Sequence, residues 1–287
     1  APVSGAYQSD NDPRNPNRGV CPIVGRTLTA LFIGDVIGRP GIRAVFTHLK
    51  QLIKKTGAEI VVVNGENAAD GFGLTPEAVS TIFAAGANVI TSGNHIWQKK
   101  EVFNLLDSEP RLLRPANYPA ADPGHGHCVV EVKGTRVAVV NLQGRVRMPR
   151  TDCPFRKAND LLRILSKEAD VVMVDFHAEA TDEKEALAAY LDGRIAAQVG
   201  THTHVPTADA RILPEGTAYI TDLGASGPAV SVIGFNPDIS IRRALTQIPI
   251  KNEVSESLAD INGAVVVVDL DTGLAQSIET IRERSVV

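Results

Sequence analysis

Six short runs rich in valine and isoleucine set the tightest limit on what this chain can fold into. They lie at residues 27–34, 59–64, 87–91, 137–141, 171–176 and 195–200. Each is close to continuously apolar, the pattern of strands buried on both faces, and each is flanked by turn residues. Helical patterns occupy residues 40–55, 75–85, 99–106, 155–167 and 182–191. The first opens with Pro40 and stops at Gly57; the second opens Thr75-Pro76-Glu77 and stops at Gly86. The first three strands with their helices form units of roughly 30 residues, the length of a βαβ crossover. The last third changes character. Strands are expected at 218–222, 263–270 and 275–282 with no helix of ordinary length between them, and Asp271-Thr272-Gly273 reads as a tight hairpin turn. A helix-covered parallel half followed by a more antiparallel half predicts an α/β fold of two packed sheets, formed as a single domain over residues 27–287.

Composition narrows the function classes. With 44% hydrophobic residues in 287, the chain can bury a large core. A net charge of −4 gives no general electrostatic grip on nucleic acid, so no stable nucleic-acid binding is expected. No apolar stretch reaches the roughly 18–20 residues of a membrane span. Cys21, Cys128 and Cys153 are far apart and form no CxxC, which favours a reducing, cytoplasmic compartment over a disulfide framework. Residues 1–26 include a run, 8–18, without a single apolar side chain; the expectation there is a disordered tail or expression remnant outside the fold.

The chemistry sits at the strand ends. Gly34-Asp35, Gly65-Glu66-Asn67, Gly93-Asn94-His95, Asp175-Phe176-His177 and Gly200-Thr201-His202-Thr203-His204 each follow an apolar run. In open α/β sheets such tips line the ligand crevice. Carboxylate, amide oxygen and imidazole are the donors that divalent transition metals take, and two metals in one site need a shared carboxylate with terminal ligands on either side. An isolated Asp or His at a strand end is usually a cap or a satisfied structural residue; five such tips on one chain point to a metal centre. In an extended segment, His202 and His204 would present both rings to one side. His48 fits a helix surface. His125 and His127 fit a Gly-rich turn ahead of a strand better than a second metal pair.

In their order along the chain these tips resemble the calcineurin-like metallophosphoesterases. The phrases Asp35-Val36-Ile37-Gly38-Arg39-Pro40-Gly41, Asn64-Gly65-Glu66-Asn67 and Asp175-Phe176-His177-Ala178-Glu179-Ala180-Thr181 are similar to the YmdB-like branch of that superfamily. The resemblance implies a four-layer α/β/β/α sandwich with two mixed sheets. It also implies two transition metal ions, iron or manganese in first place and zinc as the alternative. Glu66 would bridge them; Asp35, Asn67 and His204 would hold one ion, and Asn94, His177 and His202 the other. His95 would be the catalytic residue, acting on the phosphoryl group or its leaving oxygen. The implied reaction is hydrolysis of small-molecule phosphodiesters, 2′,3′-cyclic nucleotides in particular, by a metal-bridged hydroxide. A phosphomonoesterase, or a regulatory scaffold with weak residual hydrolysis, is the alternative. No substrate-binding residue is assigned. Arg145, Arg147, Arg150 and Arg156 form a basic loop that fits either phosphate contact or plain solvation, and the apolar loop 223–237, with Val230, Val232, Ile233 and Phe235, suggests a homo-oligomer.

Overall fold

The computed structural model describes residues 25–285, so the expectation for the N-terminal tail lies almost wholly outside it. Two six-stranded sheets form its centre. The first begins with β1 (Thr27–Ile33), followed by α1 (Gly38–Thr56), β2 (Ile60–Asn64), α2 (Pro76–Ala85) and β3 (Val89–Thr91). The three strands are parallel. α1 ends where Gly57 turns left-handed at φ 69°, and α2 starts on a Thr75 side chain that accepts the Ala78 amide. The expected helix over 99–106 is instead a 3₁₀ turn at Lys100–Val102 and α3 (Phe103–Ser108), preceded by another 3₁₀ turn at Asn94–Gln98. No side chain caps any of the three, which leaves tighter turns to carry the chain away from Asn94.

The second sheet is built from β4 (His127–Val132), β5 (Thr135–Gln143), α4 (Pro154–Glu168), β6 (Val171–His177), α5 (Thr181–Leu191), β7 (Ala197–Thr201), β8 (Arg211–Ile212) and β9 (Ala218–Ile220), in the strand order β4-β5-β6-β7-β9-β8. β5, β6, β7 and β9 run parallel, while β4 and β8 are antiparallel edges. The chain then returns to the first sheet through β10 (Gly227–Pro228), α6 (Pro237–Thr246), β11 (Ala259–Asp269) and β12 (Leu274–Arg284). β11 pairs antiparallel with β1 and β12, and Asp271-Thr272-Gly273 makes the expected hairpin turn, with Gly273 at φ 73°. α6, at 10 residues, departs from the expectation of no helix of ordinary length between the last strands. Asn236 caps it and Pro237 starts it, but it buries none of its residues, so no core-facing stripe marks it in the sequence.

Alternation along the strands assigns the layers. Leu28, Ala30 and Phe32 of β1 face the second sheet, against Val137, Val139, Val171 and Met173. Leu31 and Ile33 face the other way, onto Val45 and Leu49 of α1 and Ile82 of α2. On the far side Val140, Val172 and Val174 pack on Leu161 and Leu165 of α4 and Leu187 of α5. The molecule is therefore a four-layer α/β/β/α sandwich, with one core between the sheets and one under each helical layer. Burying strands on both faces is what made them read as continuous apolar runs. The layering also places the C-terminal ends of β1, β2, β3, β6 and β7 at one edge of the two sheets.

Candidate metal centre

All five polar tips meet at that edge. Asp35, Glu66, Asn67 and His177 are buried there, and Asn94, His95, His202 and His204 are partly buried. His177 Nε2 lies 3.5 Å from Glu66 Oε1, and its Nδ1 is 3.8 Å from Asp35 Oδ1. His204 Nε2 lies 4.0 Å from the same Asp35 oxygen. The His177 and His202 rings touch, Nε2 to Nδ1, at 3.1 Å. Glu66 Oε1 accepts the His95 backbone amide at 2.5 Å, so the bridging candidate fixes the start of the His95 turn. The Asn67 amide lies between His95 Nδ1, at 2.7 Å, and His204 Nε2, at 2.9 Å; the direction its oxygen faces fixes which nitrogen of each ring carries a proton.

Local backbone makes this crowding possible. A Cβ on Gly93 would fall inside the His177 imidazole, so a strand-end glycine is required there. The His202–His204 segment is not the extended run expected. β7 ends at Thr201, and both histidines are left-handed, φ 101° and 67°, a conformation that costs a non-glycine residue about 1–2 kcal/mol. His202 is drawn down by its backbone amide, which donates to Asp35 Oδ2 at 3.1 Å, and His204 Nδ1 is tied to the Ile233 carbonyl at 2.9 Å.

Electrostatics separate the donors by type. Burial pushes the Asp35 carboxyl up to about 7, with nearby Asp222 and Asp175 adding to the rise against His204. Burial also raises Glu66 well above the usual carboxylate range. It lowers His177 far below the ordinary histidine value and brings His95 and His202 down to about 4. The histidines are thus neutral, the form that donates a lone pair, beside carboxylates that lack positive charge.

Whether these residues fit metal ions can be judged from their unsatisfied atoms. Asp35 Oδ1, Glu66 Oε2 and Asn94 Oδ1 are buried without a hydrogen-bond partner. Buried polar atoms are nearly always paired, so three orphaned oxygens on three candidate ligands, among neutral imidazoles, match cation ligation. Against this, among the described residues no group of three His, Cys, Asp or Glu stands at ligand spacing. Two causes are visible: part of the donor set is amide oxygen, and His177 and His202 contact each other directly. The orphaned oxygens weigh more, because they fall on three of the candidate ligands at once. The residues fit the group.

Other residues support the centre in ways the strand-tip pattern did not expose. Thr201 Oγ1 contacts His177 Nδ1 at 3.0 Å and donates to Asp175 Oδ1 at 2.8 Å. Thr91 and Asn64 donate to the other Asp175 oxygen at 2.5 and 2.9 Å. Such outer contacts orient a ligating imidazole. Glu179 Oε2 reaches His202 Nε2 at 3.2 Å; its place two residues after His177 is the signal that could have found it. Phe72 packs edge-on against His95 and stacks on Phe235, which is buried rather than exposed. The four arginines of the basic loop are exposed, although Gly144 at its start bonds to the His177 carbonyl. His125 forms an isolated bridge with Leu113, His127 starts β4, and His48 reaches Ser285 from α1.

The chain is similar to known proteins over most of its length. A family model described as YmdB-like protein matches residues 31–281. A 2′,3′-cyclic-nucleotide 2′-phosphodiesterase of Bacillus subtilis (strain 168) is 47% identical over 254 residues, which cover 88% of this chain and 96% of that protein. The crystal structure of a novel phosphatase from Mycoplasma pneumoniae superposes with a TM-score of 0.86 at 38% identity, over 91% of this chain and 94% of that one. A hypothetical protein from Thermus thermophilus superposes at 0.85 with 41% identity, over 90% of this chain and 100% of that one.

Proposed function

The chain belongs to the YmdB-like family, and from that premise we propose that it is a dimetal phosphodiesterase acting on 2′,3′-cyclic nucleotides. The observation that carries this is the set of orphaned buried oxygens on Asp35, Glu66 and Asn94, surrounded by neutral histidines. Glu66 would be the shared ligand; Asp35, Asn67 and His204 would complete one side, and Asn94, His177 and His202 the other. Iron or manganese suits this mixed oxygen and nitrogen set, with zinc next. Bound cations would supply Lewis-acid charge at the phosphoryl oxygens and an acidified water as nucleophile.

The protein's own groups do the rest. His95 has a ring that is one quarter exposed and faces outward past the buried donors. In the structure the Asn67 oxygen faces His95 Nδ1; with the amide turned over, its oxygen toward a cation and its nitrogen toward Nδ1, the neutral ring would carry its proton on Nε2. From there it can be given to the phosphoryl group or the leaving oxygen. Because burial holds the ring neutral, its role is hydrogen-bond donation more than release of a full imidazolium proton. A cavity of about 280 Å³ beside His204, lined by Val205, Pro206, Pro228, Ser231, Asn262 and Arg282 among others, offers room for a nucleoside moiety.

We further place this activity in one domain over residues 27–287, in a homo-oligomer, and in the cytoplasm. Cys128 and Cys153 are free thiols, and no described helix is long and apolar enough to cross a membrane. The test is a panel of 2′,3′-cyclic nucleotides, linear diesters and monoesters, run with manganese on wild type and Glu66→Gln. Cyclic nucleotides should be cleaved fastest and Glu66→Gln should abolish all hydrolysis. Faster cleavage of monoesters would reassign the substrate class, and a fully active Glu66→Gln would refute the site.

A further inference from the structure

His202 and His204 hang from a backbone that is left-handed at both residues. Something must hold that loop in so costly a shape. Behind it lie two fully buried opposite charges, Lys184 on α5 and Asp222 just after β9. Their Nζ and Oδ2 are 2.8 Å apart. Lys184 Nζ also donates to the Thr201 carbonyl at 2.8 Å, immediately before His202. Asp222 Oδ2 accepts the Thr203 amide at 3.0 Å, between the two histidines. Its Oδ1 accepts the Gly224 amide at 2.8 Å. The Asp222 backbone is bonded in turn to Thr207, beyond the loop, through its amide at 3.0 Å and its carbonyl at 3.1 Å. The two side chains therefore grip the loop before and between its histidines, and the Asp222 main chain holds it after them.

Stability alone is a poor reason for this arrangement. A buried ion pair rarely stabilises more than apolar side chains of the same volume would. A fixed backbone is a better one, because the two side chains bond two main-chain groups of one functional loop, the Thr201 carbonyl and the Thr203 amide, while a third bond anchors Asp222 to the Gly224 amide. Sequence spacing gave no sign of it: Lys184 and Asp222 are 38 residues apart, on different elements.

We propose that Lys184 and Asp222 are a positioning pair that builds the His202–His204 loop in its ligating shape before any cation binds; this rests on the dimetal reading above. The competing arrangement is a loop shaped by the cations themselves.

The first test needs no mutation. Amide hydrogen exchange of the full chain is followed in chelator and again with Mn²⁺. The Thr203 and Gly224 amides should be protected nearly equally in both, since their acceptor is Asp222. Fast exchange in chelator that slows only on adding Mn²⁺ would overturn the proposal. The second test is the double variant Lys184→Met/Asp222→Asn, which removes both charges and nearly keeps both volumes. Calorimetric titration should show Mn²⁺ affinity reduced by about 10–100-fold, as for loss of groups that orient metal ligands. A double variant that melts lower yet binds Mn²⁺ like wild type would make the pair merely structural and overturn the proposal. Should the double variant fail to fold, exchange on the wild type decides. Wild-type protein that takes up no Mn²⁺ would sink the dimetal reading, an outcome the exchange in chelator distinguishes from failure of the pair.

Discussion

Asp35 concentrates the conflict on which this centre is built. Its carboxyl is pushed up to about 7, first by burial, so the folded state holds the proton more tightly than the unfolded chain, where the ordinary value is 3.8. As pH rises between those values the folded state loses this advantage, and above about 7 an ionised Asp35 is a net cost unless a cation compensates it. Asp35→Asn in chelator at pH 8 is therefore expected to stabilise the protein, by about 2–4 kcal/mol in urea unfolding, while weakening Mn²⁺ binding. An unchanged or lowered stability would show that burial does not strain this carboxylate. His95 behaves differently, as a residue of the reaction and not of the metal. His95→Ala should keep both cations and slow turnover by about 10²–10⁴-fold. The loss should be smaller on a nitrophenyl ester than on a ribose leaving oxygen, because a stable leaving anion needs less help. Loss of bound metal in that variant would move His95 into the ligand set. At this scale the strand-end residues that meet at the sheet edge were legible because each segment follows an apolar run. Lys184, Asp222, Thr91 and Thr201 were not, since their partners are backbone atoms and side chains from distant elements.

At the scale of elements, nine of the twelve described strands were readable to within a few residues, most of them because burial on two faces favours valine and isoleucine. What escaped was short or exposed. β4 and β5 are joined through Lys133 and Gly134, both at positive φ, a turn whose lysine carries a weaker signal than asparagine would. α6 was hidden by its lack of buried residues, although Asn236-Pro237 is a regular helix start. That helix depends on its cap. Asn236→Ala should cost it about 1 kcal/mol, read as faster exchange of the amides of residues 239–246 with little change in global melting. Exchange unaffected by the substitution would mean that packing, in an assembly, holds the helix instead.

At the scale of the whole molecule, one stretch of the chain exposes several large apolar side chains. Ile241 is 53% exposed, Leu245 80%, Ile248 55% and Val230 70%, all within residues 230–248. Large apolar side chains clustered this way usually meet a partner. A second copy is the partner expected here, and Ile241→Glu/Leu245→Glu should shift light scattering toward the monomer mass with the fold retained. Wild-type protein that is monomeric at micromolar concentration would end that expectation. The same region reaches the centre, since the Ile233 carbonyl holds His204 and Phe235 backs the Phe72–His95 contact, so assembly and activity are expected to fall together. The most direct test of the dimetal phosphodiesterase is a titration. Metal-depleted protein is mixed with 2′,3′-cyclic AMP, and the initial rate is followed as Mn²⁺ is added in known ratio to the chain. The rate should rise from zero and level off at about two equivalents per chain, as a pair of cations sharing Glu66 requires. A rate independent of Mn²⁺, or no hydrolysis at any ratio, would contradict it.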